Sequence, residues 1–331
     1  MNRYRAIEGL RGWMAWAVVA CHLVLFSSSD TVSHFWHLVR RSGDFSALAF
    51  IAISGFTICH LVVTKRESYS YFLKRRALRL FPAYLVALPL GLISYYVAAT
   101  HDAVHPAAEY ALFTQDTVDS LVAYPWPHMG LNVTMLQGVV PDEILPLSEF
   151  VILAPAWVLS LIWQFYLIAP LLILGLITPG WRWFVVAMIV AGAFAYDLGF
   201  VGHFGRPSMI LGGGPYLLFG ISLRLAMNDL TWIRSNRLSR LLLESKVPLY
   251  LGSRSYSTYL IHYPIIQILV YTLPIKGLTP VEVLLYLVSP TIVLVVVGSE
   301  LLYKCIELPA VRLGKQKGVQ ICYRSQRSTN S

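Results

Sequence analysis

The sequence is short of charge. Only 13% of its 331 residues are Asp, Glu, Lys or Arg, and 56% are hydrophobic, whereas a soluble globular domain carries about 25% charged residues. The shortage runs along most of the length, and the mean hydropathy is +0.61. A soluble domain is therefore excluded and a polytopic membrane protein is indicated. Acidic residues are the scarcer sign, 17 against 26 Lys and Arg, for a formal net charge of +9. A basic balance can serve nucleic acid, but these cations collect between apolar runs. They read as topology signals, and no nucleic-acid partner is expected. Only four cysteines occur, Cys21, Cys59, Cys305 and Cys322, and no pair has metal-ligand spacing. Neither a disulfide framework nor a metal site is expected. Internal repeats and low-complexity tracts are lacking too. The first apolar run flows toward a second span, so a membrane helix is expected there and no cleavable leader.

What is present is a series of apolar runs of the right length. A membrane helix needs about 20 mostly apolar residues, and candidates fall at roughly 10–28, 45–64, 80–99, 155–178, 183–201, 209–227, 255–273 and 281–303. Segment 101–154 is mixed and broken by Pro125 and Pro127. It suits an outer loop with short helices or a re-entrant pair. Lys65, Arg66, Lys74, Arg75, Arg76 and Arg79 follow the second run, and Arg234, Arg237, Arg240, Lys246 and Arg254 precede the seventh. Under the positive-inside rule both clusters are cytoplasmic. Eight alternating spans from a cytoplasmic N-terminus satisfy this, and two further elements in 101–154 preserve it. Arg40 and Arg41 are the exception, since they fall outside. The expected fold is an all-α, polytopic transmembrane bundle of about 8–10 membrane helices with both termini cytoplasmic. Residues 1–312 form the membrane domain, and 313–331 a basic, disordered cytoplasmic tail.

Within the first run, "EGLRGWMAWAVVACHL", Arg11 and His22 stand eleven residues apart. Eleven steps of about 100° return to nearly one helix face, and at 1.5 Å per residue the two lie roughly 16 Å apart along the axis. A titratable ring at that depth is costly and marks a candidate site; packing alone is the competing reading. A cation at the surface and an imidazole within suit an elongated ligand with an anionic head and a reactive tip, as in acyl-CoA. Arg75, Arg76 and Arg79 add guanidinium forks suited to phosphate, although topology alone also accounts for such a cluster.

The Arg-x10-His stretch resembles the signature of the membrane acyltransferase-3 family. "FIAISGFTI" (Phe50–Ile58) resembles that family's Ser-Gly-Phe span, and "KRRALRLFPAYL" (Lys74–Leu85) its basic entry. "AWVLSLIWQFYLIAPLL" (Ala156–Leu172), "SYSTYLIHYPI" (Ser255–Ile265) and "CIELPA" (Cys305–Ala310) are similar to its later motifs. The motifs occur in the family's order, up to about residue 312.

The resemblance implies a membrane-bound O-acyltransferase of the bacterial inner membrane. It would move an acyl group, commonly acetyl from acetyl-CoA, to a hydroxyl of a glycan or other sugar-bearing acceptor. His22 would be catalytic, as general base or as transient nucleophile, with Arg11 its partner. Arg75, Arg76, Arg79 and Ser54 would bind the donor. Trp157, Gln164, Tyr166 and His262 would meet the acceptor, and no metal is implied. Tyr110, Tyr124, Trp126, His128 and Asn132 offer an acceptor platform or an interfacial aromatic belt. The sequence departs from the family at Val158 and Ile162, where a Ser and a Glu are usual; Glu149 is near enough in sequence to stand in. Some relatives carry a hydrolase-like domain after the membrane part. Here direct delivery, or transfer through a separate acyl-accepting partner protein, is expected. A proton-coupled transporter or flippase of a lipid-linked sugar is the alternative, and a silent scaffold a third reading.

Overall fold

A computed structural model describes residues 5–28, 32–65, 67–100, 108–227 and 237–315. Every regular element among them is helical. In chain order these are α1 (Arg5–Ser27), α2 (His34–Thr64), α3 (Tyr69–Thr100), α4 (Ala108–Ala123), α5 (Pro125–Thr134), α6 (Trp157–Ile177), α7 (Arg182–Asp197), α8 (Ile210–Ala226), α9 (Arg237–Glu244), α10 (Lys246–Thr272) and α11 (Pro280–Leu302). A π-helical turn, Tyr303–Glu307, prolongs α11. Most of the tail expected at 313–331 lies outside the described residues.

Each of the eight apolar runs coincides with a helix over most of its length, the run at 183–201 outlasting α7 by four residues. By length and composition, five helices are able to cross a membrane: Arg5–Ser27, His34–Thr64, Tyr69–Thr100, Ala154–Ile177 and Pro280–Lys315. Two begin about three turns before the apolar run does. α2 starts at His34 and α3 at Tyr69, because Lys and Arg are good helix formers and hydropathy registers only the apolar part. Those extra turns carry Arg40, Asp44, Arg75, Arg76 and Arg79. α10 is long enough but too polar to count as a candidate span. Its Ser255, Ser257, Thr258, His262 and Gln267 are all buried, because it packs among α1, α3 and α11. The polar groups thus face protein, where such groups belong in a membrane helix. α7 is the opposite case, apolar with no buried residue.

Small residues bring the axes close. A Cβ on Gly12 of α1 would lie 2.6 Å from the Gly252 nitrogen, and one on Gly252 of α10 would lie 2.0 Å from the Glu8 carbonyl oxygen. α1 and α10 therefore touch backbone to backbone, which is how small residues work at helix contacts in membranes. This crossing fixes what the two helices present to each other deeper in the bundle.

Segment 101–154 contains α4 and α5, followed by an irregular stretch tucked into the protein. Its α5 is only 10 residues long, too short for a membrane crossing at 1.5 Å per residue. Val151, Ile152 and Leu153 are buried. Ser148 Oγ lies 2.8 and 2.7 Å from the carbonyl oxygens of Gln137 and Val140, which share its one proton, so the buried backbone is partly satisfied from within. Ile152 has a φ of +74°, a genuine outlier for a β-branched residue. It persists because the surroundings over-determine it, including Gly91 of α3, where a Cβ would lie 2.3 Å from the Ile152 oxygen.

Candidate active site

Three spaces follow one another through the bundle. At the end where α1 begins, a vestibule of about 380 Å³ is lined by Arg11, Arg79, Tyr256 and Glu307, among others. A narrow neck of about 40 Å³ follows, sharing Arg11, Arg79, Ser255 and Tyr256 with the vestibule and adding Phe50, Ser54, Val158, Ile162, Tyr166 and Tyr259. Tyr259 also lines the third space, a cavity of about 600 Å³ containing His22, Cys21, Trp157, Tyr110 and Tyr263, with Arg40, Asp44 and Arg206. The α1 stripe thus holds: Arg11 stands at one end of the series and His22 at the other.

His22 has a single defined set of neighbours. Its Nδ1 lies 2.9 Å from the Val18 carbonyl oxygen and 3.3 Å from Nε2 of His262. The His262 Nδ1 lies 2.8 Å from the Tyr259 carbonyl and 3.2 Å from that of Thr258. A carbonyl only accepts, so each Nδ1 carries the proton. In the neutral pair, His262 Nε2 is then a bare acceptor facing the His22 Nδ1–H. The His22 Nε2 is left as the unprotonated nitrogen, which is the atom a general base needs. The rings meet edge to face at 5.0 Å between centroids, and Tyr263 stands edge-on to His22 at 5.4 Å. Tyr110 donates to the Tyr263 hydroxyl at 2.5 Å.

The expected donor-side residues divide. Arg11 and Arg79 line the vestibule, and the Arg11 Nε is buried without a hydrogen-bond partner. Arg75 and Arg76 stand aside from it. Arg75 pairs with Glu67, and the Arg76 guanidinium lies 5.7 Å from the ring centroids of both Phe72 and Tyr166. Ser54 lines the neck, but its hydroxyl donates to the Phe50 carbonyl at 2.9 Å.

The acceptor-side residues divide as well. Trp157 lines the cavity, Tyr166 the neck, and His262 backs His22. Gln164 is away from all three spaces. It donates to the Ser208 carbonyl at 2.9 Å and accepts from the Ile210 backbone N–H at 2.9 Å, tying α6 to the start of α8. From segment 101–154, Tyr110 reaches the cavity. His128 and Asn132 are fully buried, while Tyr124 and Trp126 are exposed. Glu149, near Ile162 in sequence, does not line the neck; it accepts from the Ser208 hydroxyl.

Residue-by-residue reading missed Glu307, Tyr263, Asp44 and Arg206. Glu307 had a signal in "CIELPA" but no assigned role. The π-helical turn that contains it buries it in the vestibule wall, where it accepts from the Ser257 hydroxyl at 2.7 Å. The side-chain cluster contains no group of three or more His, Cys, Asp or Glu able to hold a metal ion among the described residues.

A bundle of long apolar helices threaded by such a series of spaces, with a histidine pair at its inner end, defines an integral-membrane helical protein with an enclosed site. The chain belongs to the membrane acyltransferase-3 family: a family model described as an acyltransferase domain matches residues 4–243. No curated protein matches it, and no solved structure does. The matched residues include Arg11, His22, Arg79 and the neck of α6. α10 with His262, and Glu307, lie beyond them.

Proposed function

We propose that the protein is an O-acyltransferase. It moves an acyl group, in this reading acetyl, from cytoplasmic acetyl-CoA to a hydroxyl of a sugar-bearing acceptor on the opposite face of a bacterial inner membrane. One observation carries this: a cationic vestibule, a thin neck of mixed lining and a cavity holding a bare imidazole nitrogen stand in series. That order suits a ligand with phosphates at one end, a slim arm and a thioester at the tip. Arg11 and Arg79 face the phosphates, with Glu307 offsetting part of their charge, and the arm occupies the neck beside Phe50, Val158 and Ile162.

At the cavity, His22 Nε2 takes the proton of the acceptor hydroxyl while its oxygen attacks the thioester carbonyl. The tetrahedral intermediate collapses, the C–S bond breaks, and the CoA thiolate takes the proton back from the His22 imidazolium. The Val18 carbonyl and His262 Nε2 share the His22 Nδ1–H throughout and together hold the ring in the productive tautomer, the part a carboxylate plays in hydrolase triads.

The test compares surface glycans by mass spectrometry with and without the protein. An acetyl increment present only with wild type is expected, lost in His22→Ala and in His22→Gln, which keeps polarity but not proton acceptance. His262→Gln, whose amide oxygen is able to accept the same hydrogen bond, keeps more activity than His262→Leu. Normal acetylation by a well-inserted His22→Ala protein sinks the proposal.

A further inference from the structure

The cavity around His22 ends in charge. Its lining includes Arg40 and Asp44 from α2 and Arg206 from the loop between α7 and α8. Topology gives no reason for arginines here. They sit at the end opposite the basic loops, against the rule that places Lys and Arg on one side. The Arg206 Nη1 donates to Asp44 Oδ1 at 2.9 Å, with the two side chains 45% and 53% exposed. The pair thus joins α2 to the α7–α8 loop in the cavity lining, within reach of solvent. The backbone beneath it is held firmly. Tyr196 donates to the Arg206 carbonyl at 2.5 Å, and Ser208 is bound to buried Glu149 and, at 3.2 Å, to the Gly138 carbonyl. A planar guanidinium has five N–H donors in a fork, and Asp44 takes one of them.

We propose that the acceptor is acidic, and that Arg206, with Arg40 beside it, binds a carboxylate or phosphate of the acceptor at the mouth of the cavity. The acceptor anion takes the place of Asp44 on the Arg206 fork, so one charge-assisted contact exchanges for another. Asp44 on α2 then swings free while the acceptor hydroxyl reaches His22. A neutral acceptor gains no charge-assisted contact at the Arg206 fork, so it is disfavoured. The inference rests on the acyl-transfer reading above, whose acceptor it specifies. Both an acidic sugar and the phosphate of a lipid-linked sugar meet the same chemistry.

The experiment isolates the molecules that gain acetyl when the full-length protein is expressed, and fragments them by mass spectrometry. An acetyl-bearing unit that also contains a uronate-type carboxylate or a phosphate is expected. Mild acid, which releases a lipid phosphate but leaves a uronate, separates the two sources. Arg206→Gln lowers acetylation of that molecule at least fivefold, and Arg206→Lys restores part of it. An acetylated unit with no acidic group, or equal acetylation by Arg206→Gln at equal protein level, overturns the inference while leaving acyl transfer intact. Absence of any acetylated product removes the reading it rests on, and this inference with it.

Discussion

The two ends of the passage treat charge in opposite ways. At the vestibule, the Nε of Arg11 is buried without a hydrogen-bond partner, and the carboxylates of Glu8 and Glu307 share the lining with it. At the far mouth, Arg206 and Asp44 touch each other and stand half in solvent. An unpaired buried donor costs stability until a ligand arrives, so the vestibule is built for one kind of partner. An exposed ion pair contributes little to stability and exchanges readily, which suits a site where molecules come and go. The lesson is that burial, more than the number of arginines, separates a fixed binding site from an adjustable one.

The sharpest way to break this contrast is at the vestibule. Arg79→Ala is expected to weaken CoA binding about tenfold or more, the scale of a lost hydrogen bond to a charged group. Arg79→Lys recovers only part, because an ammonium lacks the fork. Arg76→Ala costs less, since that side chain rests on Phe72 and Tyr166 outside the vestibule lining. Calorimetric titration with CoA checks the order, and equal losses at 76 and 79 would mean that the vestibule assignment is wrong.

A second probe acts between the two ends. Ile162 is buried in the neck wall, so Ile162→Glu places an unpartnered carboxyl there at a cost of about 1–3 kcal/mol. Severalfold slower turnover of acetyl-CoA is expected, with insertion unchanged. Kinetics identical to wild type would place residue 162 outside the donor path.

The smallest effect belongs to the far end. Burial pushes the Glu149 carboxyl up to about 7. Between about pH 4.3, the ordinary glutamate value, and pH 7 the folded protein therefore holds more protons at this position than the unfolded chain. Its contribution to stability is complete at the acid end and falls as pH rises through that window. Apparent melting temperatures measured at pH 5.5 and 8 should drop by a few degrees in wild type and less in Glu149→Gln. An unchanged slope in the variant would show that Glu149 does not anchor the loop carrying Arg206.

The helices and the α1 stripe were legible because both follow from periodicity: apolar runs of crossing length, and eleven residues returning to one face. The partner of His22 was not. His262 becomes its neighbour through the crossing of α1 and α10, which depends on Gly12 and Gly252 some 240 residues apart in the chain. Gln164 shows the reverse. Its sequence context pointed to the site, yet the fold uses both ends of its amide to tie α6 to residues 208–210. The early start of α2, which delivers Arg40 and Asp44 to the cavity, was hidden because polar helix looks like loop to a hydropathy scale.

The 40 Å³ neck has a consequence for the cell's energy supply. A pore open from both faces would let protons run down the membrane potential, at about 2.3 kcal/mol per charge for each 100 mV. Phe50, Val158, Leu159 and Ile162 narrow that route against the facing Arg, Ser and Tyr side chains, and the space left is too small for an open file of water molecules. A serine and a glutamate at 158 and 162 would offer such a file stepping stones. The apolar pair found here keeps those two stepping stones out of the neck.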